Sequence, residues 1–241
     1  MSSSLIEQVQ RLLERTYDLE AGRVDVGAFL IGDDGYRRLY GDGRPVRNVS
    51  AGAVKRRLDS GAATAGSEGG DGSRVLVRET DRGLRACIYF PDRMIEALER
   101  HPPQRGLGDR NVDPFATLVE ELDHLLCLAD RAARRLPVSM LELEIQANVS
   151  KYLVLARFLA GRSGRLSPRS RTWLRYHLFE KARFVERDPA VRRRYRDARR
   201  FAVRFLDGAA VLDPRRFLGL LRRFHQDTID GKLRLIQTLH A

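Results

Sequence analysis

Apolar positions along the chain change rhythm several times. Leu5, Val9, Leu12 and Leu13 recur at helical spacing and predict a short amphipathic helix over 5–17. Ala28-Phe29-Leu30-Ile31 reads as a strand ended by the turn Gly32-Asp33-Asp34-Gly35. Periodicity is then lost from residue 41, and the glycine-rich stretch 61–73 reads as a flexible linker or loop. Two β-rich runs, Arg74–Glu79 and Leu84–Phe90, flank Thr80-Asp81-Arg82-Gly83 and predict a hairpin. From residue 92 the spacing is helical, with helices expected near 92–100, 113–134, 139–160, 168–184, 189–207 and 214–239. Asp113-Pro114, Ser167-Pro168, Asp188-Pro189 and Asp213-Pro214 each look like a polar cap followed by proline at the first helical position. The fold class is therefore α+β, a small sheet or hairpin followed by a mostly helical core and additional C-terminal helices. The expected organisation is an N-terminal α/β segment over 1–60, the linker or loop over 61–73, a core over 74–160 and a basic helical region over 161–241.

Composition narrows the function classes. The 241 residues are 43% hydrophobic, enough for a sizeable core. No run of about 18 apolar residues exists, which argues against a transmembrane helix and a membrane partner. Met1–Glu7 lacks the basic and apolar segments of a secretory signal, so a cytoplasmic protein is expected. Two cysteines, Cys87 and Cys127, do not make a disulfide framework. Motifs for a nucleotide-binding P-loop, a dinucleotide fold or a serine-hydrolase elbow are absent.

The formal charge of +12 is unevenly placed. Residues 161–241 hold 21 Lys+Arg against 8 Asp+Glu, while the preceding 160 hold 23 against 24. Within the helix over 189–207, Arg192, Arg193, Arg196 and Arg200 are candidate contacts to nucleic acid or another anionic partner. The same residues also fit an arginine-rich solvated face.

The chemistry-bearing stretch is Leu118–Leu126. Phe115, Leu118, Val119, Leu122, Leu125, Leu126 and Ala129 form its core stripe, and Glu120 and His124, four residues apart, share the opposite face. Glu121 lies about 100° round the helix from Glu120. The next helix is apolar on two sides, so it is expected to be largely buried. Glu142 there has an explanation as the partner of Ser139 in a capping box, whereas Glu144 has none.

Glu120-Glu121-x-x-His124, nineteen residues, then Glu144-x-x-Ala147-Asn148 resembles the motif of gluzincin metallopeptidases, most closely the ImmA/IrrE-type zincins. In those proteins a hairpin precedes an HExxH helix and the following helix supplies a glutamate ligand. The resemblance covers about residues 74–160. It implies His124 and Glu144 as metal ligands, Glu121 as the general base that activates water, and hydrolysis of a peptide or amide bond. Glu120 stands where the first histidine ligand belongs, and Asp123 replaces a residue that is often small. A Glu120/His124/Glu144 set still suits a divalent ion; the family implies zinc, and the extra negative charge suits manganese or iron. The expectation is a zincin-like metal-binding protein, acting on a peptide or protein as a metallopeptidase, or a degenerate relative serving as a binding or regulatory module. Substrate would add as a strand to the hairpin edge, and Tyr176, His177 or His225 would supply an oxyanion donor.

Other readings fit the same residues. Glu120, Asp123 and Arg131 suit a solvated helix face with His124 as a surface histidine, and Cys127 a half-buried structural cysteine. Glu121-x-x-His124 also matches the signature of di-iron bundles, whose second copy would have to be the reversed His177-x-x-Glu180.

Overall fold

The computed structural model of the chain describes residues 4–20, 25–40, 47–48, 73–80, 83–181 and 188–240. The expected linker over 61–73 lies outside them except for Ser73. Helix α1 (Leu5–Tyr17) is capped by Ser4, whose hydroxyl accepts the Glu7 N–H. A 3-10 turn over Val26–Phe29 leads into β1 (Leu30–Ile31), so the expected strand is shorter and preceded by a turn of helix. The turn expected at Gly32–Gly35 instead opens α2 (Asp33–Tyr40), where the Asp92 carboxylate accepts the Asp33 N–H at 3.1 Å. A Cβ at Gly35 would lie 2.9 Å from Ile31 Cβ, so the glycine that suggests a turn serves here as the close approach of helix to strand.

The remaining strands are β2 (Arg47–Asn48), β3 (Arg74–Thr80) and β4 (Gly83–Tyr89), in the spatial order β1-β4-β3-β2. The hairpin forms as expected, with Val75 opposite Ile88 and Leu76 opposite Cys87. Its edges are partly covered. β1 pairs in parallel with Ile88 and Tyr89, and β2 pairs antiparallel with Leu76 and Val77. Val75 and Ile88 are fully buried, and both hairpin strands pack on helix α4 (Val112–Ala133).

The other helices are α3 (Asp92–Arg100), α5 (Met140–Ala160), α6 (Pro168–Arg175), α7 (Pro189–Ala209), α8 (Pro214–Gln226) and α9 (Ile229–Thr238). Ser167, Asp188 and Asp213 cap α6, α7 and α8 as their sequences announce. Asp113-Pro114 is not a cap. α4 begins a residue earlier after Asn111, whose side chain instead bonds Gly108 N–H and the carbonyls of His101 and Gly106. Two expected helices are interrupted: α6 passes into a π-helical turn over Tyr176–Glu180, and the helix expected over 214–239 breaks at Asp227-Thr228.

Helix α5 packs against α4 on one side and α7 on the other, which explains its two apolar stripes: Leu143, Ile145, Ala147 and Val149 are all fully buried. Among the described residues one apolar cluster runs from Val9 on α1 to Ile236 on α9. Any polar side chain on the α4–α5 seam is thereby held in a low-dielectric interior. Among the same residues no helix is long and apolar enough to cross a membrane.

Candidate metal centre

Glu120 and His124 on α4 and Glu144 on α5 come together. Each offers a ligand atom, and the three atoms lie within 4.8 Å of one another. Donors about 2.1 Å from a tetrahedral ion sit about 3.4 Å apart, so the set has to contract by about 1.4 Å at most to hold one. His124 is 1% exposed, and neither ring nitrogen has a hydrogen-bond partner; the same holds for Oε1 of Glu144. Buried polar atoms without partners cost about 1–3 kcal/mol each, so a His124 ring nitrogen and Glu144 Oε1, both unpartnered and close to the Glu120 carboxylate, fit a divalent ion.

The solvated-face reading is overturned by burial. Asp123, His124 and Arg131 are 2%, 1% and 1% exposed. The sequence suggests a surface because these polar residues lie off the apolar stripe, whereas α4 is enclosed by the hairpin, α5 and α1. Asp123 accepts a hydrogen bond from Ser150 at 2.5 Å, and Arg131 pairs with Glu142 at 2.5 Å. Ser139 accepts the Glu142 N–H and its own backbone N–H acts on the Glu142 carboxylate, as the capping box expects, and the same carboxylate also pairs with Arg131. Cys127 is 1% exposed, more deeply buried than expected, and burial followed by the Asp123 charge pushes its thiol to about 12.

Electrostatics grade the site from mouth to interior. The Glu120 side chain is 25% exposed and is paired at 2.7 Å with Lys151, itself 13% exposed. Burial alone would raise the Glu120 pKa, but the Lys151 ammonium and His124 hold it below the usual carboxylate value. Burial, then the Glu120 charge, pushes Glu144 well up. Burial takes His124 down to about 4, with Lys151 and Arg194 acting the same way. Glu121 is 4% exposed and pushed up to about 8 by burial and Glu120, although the Ser73 hydroxyl donates to its Oε1 at 3.1 Å. Its Oε2 is buried without a partner.

Of the three expected oxyanion donors, the two histidines have other partners. Tyr176 is half exposed, and His177 lies 3.3 Å from Asp109 and 3.0 Å from Lys181 Nζ. His225 stacks on Tyr17 with its Nε2 3.5 Å from Asp130. Among the described residues His177 and Glu180 belong to no group of ligands that could hold a metal ion. The polar groups on α7 that the cluster does feel are Arg194, whose charge acts on His124 and Glu144, and Tyr195, whose hydroxyl is pushed up by burial and by Glu144 and Glu120. Neither stands out in the sequence, where Tyr195 reads as a core-stripe residue. Lys151 is equally unannounced, although it falls seven residues after Glu144 and so on the same helix face.

Of the four candidate polyanion contacts, Arg193, Arg196 and Arg200 line one groove of about 680 Å³ between the α6 end and α7, with Arg204 continuing the row. Arg192 is not on it. Comparison with known protein families, curated proteins and solved structures returns no match.

Proposed function

We propose that the protein is a zincin-like metal-dependent hydrolase of peptide or amide bonds, with Glu120, His124 and Glu144 as ligands and Glu121 as general base. The observation that carries this reading is the buried His124 imidazole, unpartnered at both nitrogens, facing two carboxylates from two helices. A divalent ion there, zinc first and manganese or iron as harder alternatives, would supply Lewis-acid polarisation of the scissile carbonyl. The chain's own contribution is acid–base work. Glu121 has one oxygen anchored by Ser73 and the other unpartnered, with a proton affinity close to neutral pH, as a group that takes and returns a proton requires.

The test is Glu121→Gln. Hydrolysis of an unstructured protein substrate should fall by two to four orders of magnitude while metal content stays at the parent level. Unchanged hydrolysis, or loss of the metal in this variant, would contradict the assignment of Glu121.

A second reading rests on a different observation, the arginine row of α7. Arg193, Arg196, Arg200 and Arg204 fall at i, i+3, i+7 and i+11, opposite the buried Ala198, Ala202 and Phe205. Arg200 pairs with Asp197 at 3.1 Å, whereas neither Arg193 nor Arg196 pairs with a carboxylate among the described residues. The row suits phosphates of a nucleic acid, with the metal centre as a separate feature.

A further inference from the structure

We infer that Lys151 is a resident cation of the centre, and that its ammonium group competes with the divalent ion for Glu120. The inference rests on the metal-binding reading above. Lys151 stands two helical turns after Glu144 on α5, about 10.5 Å along the axis. Side chains on a helix lean toward its N-terminus, so the four-carbon stem carries the ammonium back toward the level of Glu144 and across to Glu120 on α4. There it donates to Glu120 Oε2 at 2.7 Å. The inner ligands His124 and Glu144 are each 1% exposed, whereas Glu120 and Lys151 form the solvent-facing end. An entering cation therefore meets the ammonium first. Its positive charge lies in the field of every member of the set, because it acts on Glu120, His124 and Glu144 as well as on Glu121. A carboxylate that has to serve both a lysine and a divalent ion binds the ion less tightly than one that does not.

The test is calorimetric titration of the metal-free full chain with zinc ion, and separately with manganese ion, for the parent, Lys151→Met and Lys151→Arg. Lys151→Met should bind at least tenfold more tightly than the parent, and Lys151→Arg, which keeps the charge, should stay within about threefold. Equal or weaker binding in Lys151→Met would overturn the competition and make Lys151 a support for Glu120. Absence of binding in all three would overturn the metal reading itself, and the competition with it. A measurement on the parent alone guards against a variant that folds badly: acylation of lysine amines read by mass spectrometry, with and without zinc. Zinc should increase labelling of Lys151 relative to Lys181, since displacement frees its amine. Labelling that is unchanged or reduced would contradict displacement.

Discussion

Tyr17 at the end of α1 and Ser150 in the middle of α5 are joined by a buried hydrogen bond of 2.6 Å. Ser150 gives its single proton to Asp123 at 2.5 Å, so Tyr17 is the donor to Ser150. The relay crosses from the first helix to the helix that carries His124, one residue from the ligand itself. The first helix is thus locked onto the α4–α5 pair by two short bonds.

Removing the head of this relay should cost stability without touching metal binding. Tyr17→Phe leaves the ring stacked on His225 but strips the donor from Ser150. Denaturant unfolding should show a loss of about 1–3 kcal/mol, with zinc affinity unchanged. A neutral effect on unfolding would mean that the relay is not holding α1 in place.

Arg131 is a second fastening, and a larger one. Its guanidinium bonds Glu142 and the carbonyls of His225, Gln226 and Asp227, where α8 ends. Lys232 Nζ remains 4.0 Å from the same carboxylate, too long to replace it. Arg131→Met should destabilise the chain by about 3–5 kcal/mol, because it leaves a buried charge and helix-end carbonyls without their main donor. Hydrogen exchange should localise the loss to α8 and α9; protection lost evenly across the chain would contradict this role.

Glu121, Asp123 and His124 each contribute to the pH dependence of the metal-free chain. Glu121 rises from an ordinary 4.5 to about 8 and Asp123 from 3.8 to about 7, both through burial first. Each contributes its stability in full below its ordinary value and loses it as pH climbs through the folded one. His124 works in the opposite direction. Burial lowers it from 6.5 to about 4, so its contribution is complete above pH 6.5 and is lost as pH falls toward 4. Above pH 6.5 the two carboxyl groups dominate; Lys232, lowered by burial from 10.5 to about 8, adds a smaller opposing rise, and stability should still fall by about 2 kcal/mol between pH 6.5 and 8. Denaturant unfolding in the presence of a chelator measures it. Excess zinc should flatten the slope by holding the carboxylates ionised, and a rising slope without metal would contradict the burial of Glu121 and Asp123.

The arginine row makes its own prediction. Charge reversal of Arg193, Arg196 and Arg200 together should abolish binding to a single-stranded oligonucleotide, and the parent's affinity should fall steeply with salt. Arg192→Glu, outside the groove, should bind nearly as the parent does. Equal binding of polyglutamate by the parent would mean that the row answers to charge alone.

Helical spacing makes α1, α4 and α5 legible in the sequence, two β-rich runs around a turn make the hairpin so, and polar-proline pairs mark three of the four expected caps. Each of these is decided locally, by spacing or by one capping side chain. What escaped was decided by distant contacts. α2 reads as a turn because Gly35 is a turn residue until Ile31 is placed against it. The break at Asp227-Thr228 depends on Arg131, which lies 96 residues earlier and takes the Asp227 carbonyl. In the centre, Glu120, His124 and Glu144 follow from helical spacing and a motif. Lys151 and Arg194 do not, because a charge beside a buried acid is visible only once the helices are packed.

Glu120, His124 and Glu144 are proposed to hold one divalent ion. Elemental analysis of untagged protein equilibrated with zinc and then desalted tests it directly, beside His124→Ala and Glu144→Ala. The parent should retain about one equivalent, and both folded variants should lose it. A folded parent that retains no metal, or variants that retain as much as the parent, would contradict it.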